Sequence, residues 1–107
     1  MAEVNFTFQS LDDLEDIAEY ISRDSAYYAA MQVEKLIQRT DILENFPLIG
    51  RVVPELKMKS VREIIEGNYR IVYRVLNKSL VHILTFHHSR KKLKPTTLRK
   101  TIKRIDR

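Results

Sequence analysis

Three side chains here are of the types that cut a phosphodiester without a metal: a carboxylate at Glu55, a guanidinium at Arg70 and an imidazole at His88. The carboxylate would accept the proton of an attacking 2′-hydroxyl, the imidazole would donate one to the leaving oxygen, and the cation would steady the phosphorane charge. The same residues have structural uses: Glu55 can hold a loop through Arg51 or Lys57, and His88 can cap a strand end. The remaining histidines, His82 and His87, add no metal site. His87 and His88 are consecutive strand residues that point to opposite faces, and the chain has no cysteine and no HExxH spacing. Neither metal nor cofactor is expected.

Cations at alternating strand positions form a platform for phosphates, because they cancel charge without reading base identity. Arg70 and Arg74 fit that description, Arg62 joins them by parity, and Lys57, Lys59 and Arg90 extend the set of phosphate or target contacts. The structural alternative is pairing with Glu63 or Glu66 across the sheet. Tyr69 and Tyr73 read as core, and Tyr20 lies beside Ile21 in a helix, which leaves Tyr27 and Tyr28 freer to stack. With two glycines in the chain, a P-loop or dinucleotide fingerprint is excluded.

The elements that position these groups follow from periodicity. Val4, Phe6 and Phe8 alternate as a short strand. Ser10 caps a helix whose buried stripe is Leu11, Leu14, Ile17, Ala18 and Ile21, with acidic residues at its positive end. After Arg23-Asp24-Ser25, a second stripe of Ala26, Ala29, Ala30, Val33, Ile37, Thr40 and Leu43 runs to Phe46-Pro47, completing a helical hairpin. Residues 48–56 read as an ordered loop. Residues 60–66, 69–76 and 80–87 read as three strands joined by tight turns at Gly67-Asn68 and Asn77-Lys78. In the middle strand the uncharged face of Tyr69, Ile71, Tyr73 and Val75 is expected to meet the hairpin, leaving Arg70 and Arg74 on an open face. Leu98, Ile102 and Ile105 mark a short amphipathic C-terminal helix, ordered against a partner. The expected fold is one α+β domain: an N-terminal strand and a two-helix hairpin packed on a small antiparallel sheet, plus that helix.

The charge is uneven. The chain of 107 residues carries +5, but residues 89–107 hold nine Lys or Arg against one Asp, a balance of +8, so the rest is −3. A basic segment attracts phosphates or an acidic protein. No apolar run approaches the roughly 20 residues of a membrane span and no signal region opens the chain, so a cytoplasmic protein without membrane contact is expected, and the zero cysteine count removes disulfides and thiol nucleophiles.

Four stretches in order, 13–21, 47–56, 62–75 and 83–90, resemble the RelE/ParE superfamily of toxins from type II toxin–antitoxin systems. That resemblance covers about residues 3–90 and implies the fold derived above, in a toxin domain taken as 1–90 with the basic tail 91–107 outside it, and an antitoxin partner whose extended or helical segment wraps the toxin. It implies either of two activities. RelE-like and YoeB-like members cut messenger RNA on the ribosome; Arg70 matches their phosphate-binding arginine, and Glu55 and His88 fall where YoeB-like nucleases place base and acid. ParE-like members instead bind DNA gyrase. This chain lacks an aromatic residue after Ser89, lacks the RelE lysine pair and carries Glu63 where a phosphate would sit, so the reading leans to a ParE-like gyrase inhibitor. The endoribonuclease is the alternative, and a degenerate toxin that only binds its antitoxin is the third reading. An acidic or amphipathic antitoxin segment is expected against Leu98, Ile102, Ile105, Arg99 and Lys103.

Overall fold

A computed structural model describes residues 1–105, with the side chain of Ile105 outside that description. The chain runs β1 (Glu3–Phe6), α1 (Phe8–Ser22), α2 (Ala26–Arg39), a 3-10 turn (Thr40–Glu44), β2 (Arg51–Val52), β3 (Val61–Glu66), β4 (Tyr69–Asn77), β5 (Leu80–His88) and α3 (Pro95–Ile105). The sheet has five strands in the order β1-β5-β4-β3-β2; β1 runs parallel to β5 and the other pairs are antiparallel. The α+β class and the meander match expectation, while the loop before β3 also contributes the short strand β2. The β3–β4 turn needs a positive φ, and Gly67 supplies it at +57°.

Helix starts follow capping chemistry. The Thr7 hydroxyl accepts the Ser10 N–H at 3.1 Å, and the Ser25 hydroxyl accepts the Tyr28 N–H at 3.2 Å. Ser10 is therefore not the cap but a buried residue of the first turn, its hydroxyl donating to the Thr7 carbonyl. Phe8 is likewise not a strand residue: it opens α1 and is 88% exposed. In α2 the position facing the core is Leu36, fully buried, rather than the half-exposed Ile37. A single residue's rotation about the helix separates the two.

Both faces of the sheet are covered. On one, α1, α2 and the 3-10 turn bring Leu14, Leu36 and Leu43 respectively onto Ile64, Ile71, Tyr73, Ile83 and Phe86. On the other, Leu93, Leu98 and Ile102 join Val53, Leu56, Val61, Val72 and Leu84 in a second core. The face expected to be open is thus largely roofed by α3 and the 53–56 turn. Leu98 and Ile102 are buried within their own chain, so α3 has a binding site for its apolar stripe without a partner. Its charges point away, with Arg99 and Lys103 exposed. Burying that stripe against a sheet removes more apolar area from water than a solvated tail would.

Beyond Phe6, β5 has no neighbouring strand on its outer side, and α1 closes that edge. The Thr7 hydroxyl donates to the Ile83 carbonyl at 2.7 Å, and the Asp13 carboxylate accepts the Phe86 N–H at 3.1 Å and the Thr85 hydroxyl. Burial pushes the Asp13 carboxyl up, against the lowering effect of these hydrogen bonds. If α3 is an integral layer, Leu98→Ala should lower unfolding free energy by ~2–5 kcal/mol in denaturant melts.

Candidate functional site

The most charged constellation sits where the second core gives out. Val53 accepts the N–H groups of Leu56 and Lys57, at 3.2 and 3.0 Å, and Lys57 takes a left-handed φ of 55° to close this turn. The turn aims Glu55 at β4, where Arg70 shares a face with Val72. Arg70 grips Glu55 with both ends of its guanidinium, Nη1 to Oε2 at 2.7 Å and Nη2 to Oε1 at 2.8 Å. Its Nε donates to Glu63 Oε1 at 2.5 Å, and the other Glu63 oxygen accepts Arg51 Nε at 2.5 Å. The result is a chain of alternating charge, Arg51–Glu63–Arg70–Glu55. The Glu63 side chain is fully inaccessible and that of Arg70 only 12% exposed.

The electrostatics follow from this geometry. The Arg70 hydrogen bonds hold the Glu55 carboxyl below its ordinary value, and Glu55, followed by Glu63, raises Arg70 further. Both Glu55 oxygens are occupied, and a carboxylate so stabilised is a poor proton acceptor. Arg70 already faces two carboxylates, so its charge is cancelled where a phosphate would need it.

Of the expected catalytic set, Glu55 and Arg70 come together and His88 does not. His88 pairs with Tyr69 on the helical-hairpin face, where the two rings meet edge to face at 5.3 Å, and its Nδ1 accepts the Arg90 N–H at 3.1 Å. The cause is a register shift in β5. Ile83 and Phe86, three residues apart, both enter the hairpin-side core, so alternation skips a step and His88 changes face. His87 is the residue opposite Arg70, with its Nε2 2.8 Å from the Lys91 carbonyl.

Arg62 is also misplaced by the sequence reading. It stands opposite Tyr73, on the hairpin side, and its guanidinium donates to the carbonyls of Lys59, Gly50 and Leu48 at 3.0, 3.0 and 3.4 Å. The signal is in the turn itself: a two-residue link at Gly67-Asn68 puts Glu66 opposite Tyr69 and hence Arg62 opposite Tyr73. The face partner of Arg70 on β3 is Glu63, which parity with Val61 identifies. Arg74 does share the Arg70 face, in register with His82 on β5. Lys57, Lys59 and Arg90 are exposed in loops, and Tyr20, Tyr27 and Tyr28 project from the hairpin into solvent.

Elsewhere, a largely apolar groove of about 360 Å³ lies between β1 and α3, lined by Asn5, Phe6, Phe8, His82, Thr101 and Arg104 among others. Among the described residues no cluster of His, Asp or Glu is arranged to hold a metal ion, and no helix is long and apolar enough to cross a membrane.

Removing one partner of a buried ion pair strands the other. Arg70→Ala should therefore cost about 3 kcal/mol of stability in denaturant melts, the lower end for a broken buried pair, because Glu63 stays buried with only the largely exposed Arg51 to neutralise it. For Glu55 the sign is that of a lowered carboxyl: its contribution is present above the unfolded-state value and is lost as pH falls through the folded one. Glu55→Gln should flatten that acid limb in melts taken across pH, leaving the opposite dependence expected from the raised Asp13 carboxyl.

Residues 4–93 match the family described as the ParE toxin of the type II toxin–antitoxin system, parDE. Among solved structures, the chromosomal ParDE toxin–antitoxin system from P. aeruginosa superposes with a TM-score of 0.67 at 20% identity, covering 82% of this chain and 96% of that one. The RelBE2 toxin–antitoxin complex from Mycobacterium tuberculosis gives a TM-score of 0.54 at 22% identity, covering 81% and 96%. No curated protein is a significant sequence match. The structural likenesses establish the fold, and the family match over most of the chain's length establishes kinship: the chain belongs to the ParE toxin family of type II toxin–antitoxin systems.

Proposed function

We propose that this toxin arrests growth by binding DNA gyrase, in the ParE manner, and that it is not a ribosome-dependent endoribonuclease. The observation that carries the reading is the closed pair of Glu55 and Arg70, braced by buried Glu63, with His88 on the other side of the sheet. A nuclease would need Glu55 free to take a proton and Arg70 free to meet phosphate. Separating them breaks a bidentate ion pair, leaving Arg70 to Glu63 and Glu55 to solvent, before any substrate contact is made. The ParE family match points the same way.

One observation favours the second reading. His87 lies opposite Arg70 on the Glu55 side of the sheet, so an endoribonuclease built here would use His87, not His88, as its acid. The antitoxin contact is assigned to the outward face of α3, where exposed Arg99 and Lys103 meet an acidic segment, since Leu98 and Ile102 are occupied in the second core. Neutralisation would then be salt-sensitive.

The deciding measurement sets gyrase supercoiling beside transcript integrity in cells expressing the toxin alone. The expected outcome is inhibited supercoiling, DNA-damage signalling and intact transcripts, with inhibition relieved by antitoxin and less well relieved for Arg99→Glu/Lys103→Glu. Cut transcripts with unaffected supercoiling, abolished by Arg70→Ala in a folded variant, would overturn the proposal.

A further inference from the structure

One cluster of exposed apolar residues has no role in either core. The turn after the 3-10 segment presents Leu48 and Ile49, 62% and 51% exposed, and the turn before β3 presents Met58, 39% exposed. Arg62 joins these two turns, because one side chain donates to the carbonyls of Leu48, Gly50 and Lys59. The first turn is locked further: the Ile49 N–H donates to the Phe46 carbonyl at 3.1 Å and the Gly50 N–H to the Tyr73 hydroxyl at 2.9 Å. A Cβ on Gly50 would lie 2.5 Å from the Glu63 carbonyl oxygen and 2.6 Å from the Tyr73 hydroxyl, so this close approach requires glycine. The second turn is held by the Val61 N–H on the Met58 carbonyl at 3.0 Å. Exposed apolar side chains on a preorganised backbone lose little conformational entropy on binding.

The charge around them has one sign. Arg51 and Arg70 are matched by Glu63 and Glu55, but among the described ion pairs neither Lys57 nor Lys59 takes part. Both lysines are exposed beside Met58. Such a surface complements an acidic rim around an apolar recess. Its shape also matters. The groove between β1 and α3 suits an inserted segment, whereas this feature protrudes, and strand order puts β1 and β2 at opposite edges, about 19 Å apart at ordinary strand spacing.

We propose that the 48–49 and 57–59 turns, clamped together by Arg62, form a single apolar and basic knob that engages the toxin's protein target at an acidic surface with an apolar recess. The antitoxin binds elsewhere. This deepens the proposed function and rests on the toxin acting by binding a protein. Nucleic acid is the poorer fit, since apart from Phe46, 60% exposed where the first turn begins, the knob offers aliphatic side chains and no row of aromatics between its cations.

The test compares the full-length toxin with Leu48→Ser/Ile49→Ser and Lys57→Glu/Lys59→Glu in three readouts: growth arrest, titration with cognate antitoxin, and gyrase supercoiling. Thermal melts confirm folding, and Lys59→Glu alone replaces any variant that does not fold. The expected result is a rise of about tenfold or more in the toxin needed for half-inhibition, with antitoxin affinity within about threefold of the parent. Undiminished inhibition, or loss of antitoxin affinity in a folded variant, overturns the proposal. If the parent arrests growth without inhibiting gyrase, the gyrase reading falls separately and growth arrest becomes the readout. Variants that no longer arrest then support the knob, and variants that still do overturn it.

Discussion

A carboxylate in the middle of a sheet, shut off from water, must be neutralised where it stands, and Glu63 imposes that requirement on everything around it. Its two oxygens take one arginine from β2 and one from β4. Satisfying the charge therefore fixes the lateral order of three strands and holds the two-residue edge strand in place. Arg70, once committed to Glu63 through Nε, has its terminal nitrogens directed at Glu55, and this pins the 53–57 turn over the second core. A single buried charge thus couples strand pairing, loop placement and the lower part of a hydrophobic cluster. Such networks are costly when broken and close to neutral when complete, so their main effect is to specify one arrangement.

The sheet is a central layer with apolar contacts on both sides, and this governs where function can reside. Helices α1 and α2 occupy one face, and α3 with the 53–56 turn occupies the other. What remains for partners is the periphery: the sheet edges, the outward faces of helices and the protruding turns. The ion chain is itself part of the scaffold. Its residues have the types of a nuclease site but are held in mutual compensation, and an arginine surrounded by two carboxylates presents little positive potential to an incoming phosphate.

The basic C-terminal segment serves two physical ends at once. Leu93, Leu98 and Ile102 finish the second core, while the described lysines and arginines of the segment are exposed to solvent. Since the remainder of the chain is net acidic, the molecule is electrically polarised. That favours oriented encounter with an acidic partner and depends on ionic strength.

Local pattern in the sequence determined the elements: the helical hairpin, the three-stranded meander, the tight turns and the core placement of Tyr69 and Tyr73. Each of these rests on periodicity, capping or turn chemistry within a few residues, which the chain carries independently of its distant parts. Glu55 and Arg70 were legible as candidate residue types and Glu63 as a competitor for the arginine, but the partner read for Glu55 was Arg51 or Lys57 rather than Arg70. Tertiary structure alone decided the rest. The skipped alternation in β5 that moved His88 to the hairpin face depends on which side chains fit beneath α1. The parallel seating of β1, the burial of Leu36 rather than Ile37 and the docking of Leu98 and Ile102 depend on surfaces far away in the chain. Periodicity shows that a side chain alternates or recurs; only the packed neighbours establish the phase, because burial is a property of the assembled layers and not of the segment.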